Sequence, residues 1–187
     1  MTDLIWSFSP WLVFLLASRF TTFSGAIALG FIASVVVLIR AVGNRRAHML
    51  DVASLCYFVA LAVALAITHP QHIEMWSRYA QLGSHLVLTV LIIGSIVVGR
   101  PFTESYARRT TPEEYWHTRE FRDVNRRISG AWALAFIVGD VSLALAGSVG
   151  ARQALLRVII PFGALYVAYR YTADQQQKAR AGDEVTS

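Results

Sequence analysis

Asp140 is the residue whose position most demands an explanation. It stands inside "AFIVGDVSLALAG", the only acidic side chain deep in a run apolar enough to cross a membrane. A charged side chain at the centre of such a helix costs about 3 kcal/mol, so an acid there is kept for a contact or a function. Two other polar residues fall at comparable places: His85 in "LGSHLVLTV" and Arg157 in "ALLRVIIPF". Counted from the ends of their runs, Asp140 sits near mid-depth, and His85 and Arg157 sit nearer the outer surface. An Asp140–Arg157 pair is expected, because their runs are antiparallel neighbours joined by the short "AGSVGARQ". Three kinds of chemistry fit such a cluster: a polar contact that fixes helix packing, a proton or ion relay, and the lining of a water-filled cavity.

A second concentration of chemistry is the stretch "GRPFTESYARRTTPEEYWHTREFRDVNRR", Gly99–Arg127. It carries Arg100, Arg108, Arg109, Arg119, Arg122, Arg126 and Arg127, seven of the seventeen Lys and Arg residues. Basic side chains at a membrane surface meet anionic headgroups, with about 1 kcal/mol per residue near the surface. Gly99 and Pro101 mark a helix end. Thr111, Pro112 and Glu114 read as an N-cap, a first helical position and the acid of a capping box. In the helix so begun, Phe121, Val124 and Ile128 share one face while the arginines lie mostly elsewhere. That pattern predicts a short amphipathic helix on the inner membrane surface that feeds into the next crossing.

Other chemistry is poorly represented. His69 and His72 bracket a loop around Pro70, and no second pair of span histidines stands at facing depths, so haem is not expected. His48 and His117 read as polar surface. Cys56 is the single cysteine and reads as a small core hydrophobe. No nucleophile elbow, phosphate loop, zinc spacing or paired-carboxylate pattern occurs, and no catalytic residue, metal or cofactor is expected.

The elements that must position these residues follow from composition. The chain has 187 residues, 55% hydrophobic and 16% charged, with mean hydropathy +0.47. Soluble domains are nearer a quarter charged, and here the apolar residues gather into long blocks. A crossing takes about 20 helical residues, which predicts an all-α membrane protein with five transmembrane helices, at 23–42, 50–68, 79–99, 128–151 and 154–171. These form one polytopic domain over 1–171, with the amphipathic segment at 100–127 and a polar, frayed tail at 172–187. The run Leu4–Ser18, interrupted by Pro10, is expected to be re-entrant or interfacial. No basic residue precedes it, so cleavage as a signal peptide is not expected.

Five crossings put thirteen basic residues on one side: Arg40, Arg45, Arg46, the seven above, Arg170, Lys178 and Arg180. Four fall on or near the other: Arg19, Arg78, Arg152 and Arg157. By the positive-inside rule the C-terminus and the arginine stretch are cytoplasmic, and the N-terminus lies outside if Leu4–Ser18 does not cross. Trp6, Trp11, Trp76 and Trp132 stand near span ends, as headgroup-layer rings do. The net charge of +5 is explained by this topology, so no nucleic-acid partner is expected. Small-residue faces in "GAIALGFIAS" and "GAWALAFIVG" let helices approach closely, and a homo-oligomer is allowed.

The order of these features resembles the intracellular septation protein A family of small bacterial inner-membrane proteins. The resemblance covers about 9–170. It lies in the Phe-rich start "SPWLVFLLASRF", the first span ending in a basic turn, "VVVLIRAVGNRR", the loop "HIEMW", the span end "GRPF", a segment with a Trp, and an Asn before "WALAF". Arg100, Pro101, Phe102, Trp116, Asn125, Trp132 and Phe136 match the pattern, and the resemblance implies structural or partner-facing roles for them. It further implies a non-enzymatic role in cell-envelope maintenance or septation at the bacterial inner membrane, through division or envelope proteins and anionic lipids. The alternative from the residues themselves is a small ion or solute transporter that uses Asp140 with His85 or Arg157.

Overall fold

The computed structural model describes residues 2–44, 47–67, 73–146 and 155–186, with side chains for 3–44, 47–67, 80, 82–146 and 155–178. Arg45, Arg46, His69, His72, Arg152, the connection 147–154 and the side chains of Trp76, Arg78 and Arg180 lie outside the described residues. Every element among the described residues is helical: α1 Thr2–Phe20, α2 Phe23–Gly43, α3 Met49–Ile67, α4 Ile73–Val97, α5 Glu104–Ala107, α6 Arg119–Leu145 and α7 Ile160–Thr186. A 3-10 turn spans Glu113–Tyr115 and a π-helical turn Leu155–Ile159. Among the described residues three helices, α2, α3 and α6, are long and apolar enough to cross a membrane, and α4 holds a shorter apolar stretch, Leu82–Val97.

The chain packs as two compact units, Met1–Ser84 and His85–Ser187. In the first, Phe14, Ala17, Ala26, Ile27, Phe58, Leu61 and Ala80 form the core. Phe58 is fully buried because Gly30 leaves room for it: a Cβ at Gly30 would stand 2.5 Å from the Phe58 ring. Tyr57 donates its hydroxyl to the Ala80 carbonyl at 2.8 Å.

Leu4–Ser18 is not interrupted at Pro10; α1 is one helix of 19 residues. Proline cannot donate to the carbonyl four residues back, here Trp6. The Ser9 hydroxyl takes that carbonyl instead, at 2.7 Å, so the helix continues with its acceptor satisfied. Helix α1 lies antiparallel to α2: Phe14 and Ala17 meet Ala26 and Ile27, and the Arg40 guanidinium stands 4.3 Å over the Trp6 ring. The N-terminus therefore lies at the Arg40 end of this unit.

Further expectations in the first unit are corrected. His48 is buried, not surface: its N–H donates to Asp51 Oδ2 at 2.8 Å while the Asp51 N–H donates back to its carbonyl, a reciprocal cap that starts α3. Trp11 is buried against Tyr57 and Phe58. Cys56 is exposed on α3 instead of packed in the core, because the buried side of α3 is set by Asp51, Ser54, Phe58 and Leu61.

In the second unit, α4 ends as "GRPF" predicts. Gly99 takes φ +78°, its N–H bonds the Ile96 carbonyl and the Arg100 N–H bonds the Ser95 carbonyl. This is a Schellman end, which glycine permits without a Cβ clash. Pro101 and Phe102 then bury themselves. The cap expected at Thr111 forms instead at Thr118, whose hydroxyl accepts from the Phe121 N–H at 3.2 Å. Pro112 begins only the 3-10 turn, and Thr111 offers its carbonyl to the Trp116 indole at 2.9 Å. No separate amphipathic helix stands before the apolar run: α6 passes unbroken from Arg119 to Leu145.

Helices α6 and α7 pack through Trp132, whose indole donates to Thr172 Oγ1 at 3.0 Å. Trp132 is thus buried in helix packing. The tail expected to fray is helical to Thr186, with Lys178 and Asp174 paired at 2.8 Å one turn apart.

Candidate functional site

Two constellations in the second unit gather the sequence-predicted residues. The first is built on α4 and α6. His85 and Thr89, four apart, share a face of α4; Phe136, Gly139 and Asp140 share a face of α6. The Thr89 hydroxyl bonds Asp140 Oδ2 at 2.5 Å and also lies 3.0 Å from the His85 carbonyl. His85 Nδ1 stands 3.8 Å from Asp140 Oδ1, and each of those two atoms is buried without a hydrogen-bond partner. The His85 side chain is 12% exposed and that of Asp140 11%.

The ring of His85 is held from two further sides. Phe136 meets it edge-on, centroids 5.7 Å apart. Gly139 lies so close that a Cβ there would stand 3.2 Å from Nδ1 and 3.3 Å from Cε1. A glycine at this position is therefore what lets the imidazole reach the depth of Asp140.

The expected Asp140–Arg157 pair is not formed; Asp140 faces α4 instead. Arg157 falls in the π-helical turn, where counting at 3.6 residues per turn no longer forecasts direction. Its Nε is buried without a hydrogen bond. The turn leads into Pro161, which offers no N–H to Arg157 or Leu156, the carbonyls four and five residues back. The Ser142 hydroxyl on α6 donates to the Leu156 carbonyl at 2.7 Å and satisfies it.

The second constellation is the arginine stretch. Arg119, Arg122, Arg126 and Arg127 are all exposed on the first turns of α6, while Phe121, Asn125, Ile128 and Ser129 are buried. Arg100 is exposed just past the Schellman end. Arg108 pairs with Glu104 one turn earlier and lies 5.1 Å over the Trp116 ring, so that cation and that aromatic are already engaged within the chain. Arg109 is half-buried. Asn125 does not face outward: it is 3% exposed, and its amide donates to the Phe121 carbonyl.

Underneath lies a knot of hydroxyls that no sequence pattern singles out. Thr103 Oγ1 donates to the Asn125 carbonyl at 3.0 Å and lies 2.8 Å from Ser129 Oγ; Ser95 Oγ accepts from the Phe102 N–H at 3.1 Å. These bonds fix the arginine stretch to the ends of α4 and α6. Sequence reasoning misses Thr89, Gly139 and Ser142 as well; the four-residue step from His85 to Thr89 is the one available signal. Among the described residues no three His, Cys, Asp or Glu side chains converge as a metal site would need.

Among the described residues, an all-helical fold with three helices fit to cross a membrane, and a polar cluster packed between two helices, is the class that fold and site define. Compared with protein-family models, curated proteins and solved structures, the chain finds no match.

Proposed function

We propose that this chain is a non-enzymatic multi-pass protein of the bacterial inner membrane that supports envelope maintenance or septation, and that its arginine face engages anionic headgroups and partner proteins. The reading rests on one observation. The turns of α6 that carry Arg119, Arg122, Arg126 and Arg127 present every arginine outward while Phe121 and Ile128 are buried, and they continue without a break into an apolar helix. A helix so built stands in the membrane with its basic turns at the headgroup level.

On this reading α4 and α7 cross as α2, α3 and α6 do. Helix α1, about 28 Å long at 1.5 Å per residue, crosses too, since it matches α2 along its length. The N-terminus then shares the cytoplasmic side with Arg40, Arg126 and the C-terminal tail. The resemblance to the septation protein A family supplies the envelope role. The exposed arginines supply the surface.

The test is charge reversal at Arg122, Arg126 and Arg127 together. Loss of near 3 kcal/mol of headgroup attraction should lower the reconstituted protein's preference for anionic over zwitterionic lipids by about 100-fold, mislocalise the protein and alter cell shape. Normal localisation, lipid preference and cell shape in that variant would sink the reading. Crosslinking from native membranes would identify the partner.

A further inference from the structure

We propose that His85, Thr89 and Asp140 form a proton-binding site in which one exchangeable proton is held either by Asp140 or by His85. The inference does not rest on the arginine face and goes beyond it.

Thr89 carries the argument first. Its hydroxyl has one proton and two acceptors in reach, the His85 carbonyl at 3.0 Å and Asp140 Oδ2 at 2.5 Å. A hydroxyl both donates and accepts. With a proton on Oδ2, the carboxyl donates to Thr89, and Thr89 donates to the His85 carbonyl. With Asp140 ionised, Thr89 turns its proton to Oδ2. Asp140 Oδ2 thus keeps its bond to Thr89 in both states, and only the hydroxyl proton turns.

The other half of the site is the facing pair His85 Nδ1 and Asp140 Oδ1. Both are buried and unpartnered, and 3.8 Å is beyond hydrogen-bond reach. Two buried polar atoms that face each other unbonded are costly, and an approach of about 1 Å closes them into a charge-assisted bond once Nδ1 carries the proton. The first arrangement is then a carboxylic acid beside a neutral imidazole. The second is a carboxylate beside an imidazolium. In passing from one to the other an O–H bond breaks, an N–H bond forms, and the pair's net charge is unchanged.

Among the described residues, the charged and titratable groups around the site are few. On α4 it is His85 itself, and on α6 Asp140. The turn packed on α6 through the Ser142–Leu156 bond brings Arg157, which makes no ion pair with Asp140. Gly139 and Phe136 pack against the ring of His85.

The experiment uses the full chain in phosphatidylcholine vesicles, with protons as the probe, by infrared difference spectroscopy over roughly pH 4 to 9, the range in which carboxyl and imidazole groups titrate. A protonated-carboxyl band is expected that disappears in Asp140→Asn. Its midpoint should move by about one pH unit or more in His85→Gln, as for coupled sites. Thr89→Val should move it as well, and Thr89→Ser should restore it. A band that survives Asp140→Asn, or a midpoint unmoved by His85→Gln, overturns the proposal, as a purely structural contact would give. Should Asp140→Asn not fold, nitrogen-15 spectra of the wild type replace it, with His85→Gln identifying the resonance. Nδ1 must titrate with the midpoint of the carboxyl band. A His85 signal constant across the range overturns the proposal equally.

Discussion

Ser142 on α6 and the main-chain carbonyl of Leu156 are bound at 2.7 Å, at the point where Pro161 leaves the helix ladder short of a donor. The bond joins two elements and removes an orphan acceptor at once. Ser142→Ala should therefore destabilise the second unit by about 1 kcal/mol, as interhelical bonds in membrane proteins do. Pro161→Ala, which restores an N–H to that ladder, should recover most of it in the double variant. Equilibrium unfolding in detergent measures both. An additive pair would show that the two residues do not share the carbonyl.

A parallel relationship holds in the first unit. Ser9→Ala exposes the Trp6 carbonyl that Pro10 cannot bond, so it should cost about 1 kcal/mol alone. In a Pro10→Ala background it should cost only a few tenths, because an alanine there supplies the N–H itself. Thermal unfolding of the four members of the cycle tests this. Equal costs in both backgrounds would contradict the geometry.

Gly30→Ala is expected to be among the more damaging small changes. Its Cβ would stand 2.5 Å from the fully buried Phe58 ring. Overpacking of this kind costs about 1–3 kcal/mol. Phe58→Leu should be tolerated better in the Gly30→Ala background than in the wild type, as thermal unfolding of the single and double variants would show. Failure of that partial rescue would place the strain elsewhere.

The two threonines of the arginine stretch should separate cleanly. Thr118→Ala removes the N-cap of α6 and should cost about 1 kcal/mol. Thr111→Ala should cost little, since only its carbonyl is used, by Trp116. Helix stability followed by amide exchange in the first turn of α6 distinguishes them. A larger loss at Thr111 would restore the capping box that the sequence pattern first points to.

That pair of residues also shows what the sequence could and could not carry. "TTPEEYW" has every local sign of a helix start, and "HTREF" has a threonine and the first-turn acid Glu120 but neither the proline nor the capping-box acid. The start is nevertheless fixed by burial of Phe121 and by the Trp116 indole, neither of which local rules weigh. The Schellman end at Gly99 was legible, because a glycine with a nearby proline depends on nothing distant. The outward arginines were legible for the same reason: their spacing against Phe121 and Ile128 is a property of one helix. Asp140 could be singled out but not given its partner. Arg157 was near in sequence and His85 was 55 positions away, and only the packing of α4 on α6 decides between them. The turn at Leu155–Ile159 adds a second reason, since its wider winding has no signature in the residues that form it.

Helix α6 has no joint between Arg126 and Asp140. Fourteen residues at 1.5 Å each set them about 21 Å apart along a stiff axis. Whatever grips the arginine end therefore fixes the height of Asp140 against Thr89 like a weight on a plumb line. A pull on one end is a displacement at the other.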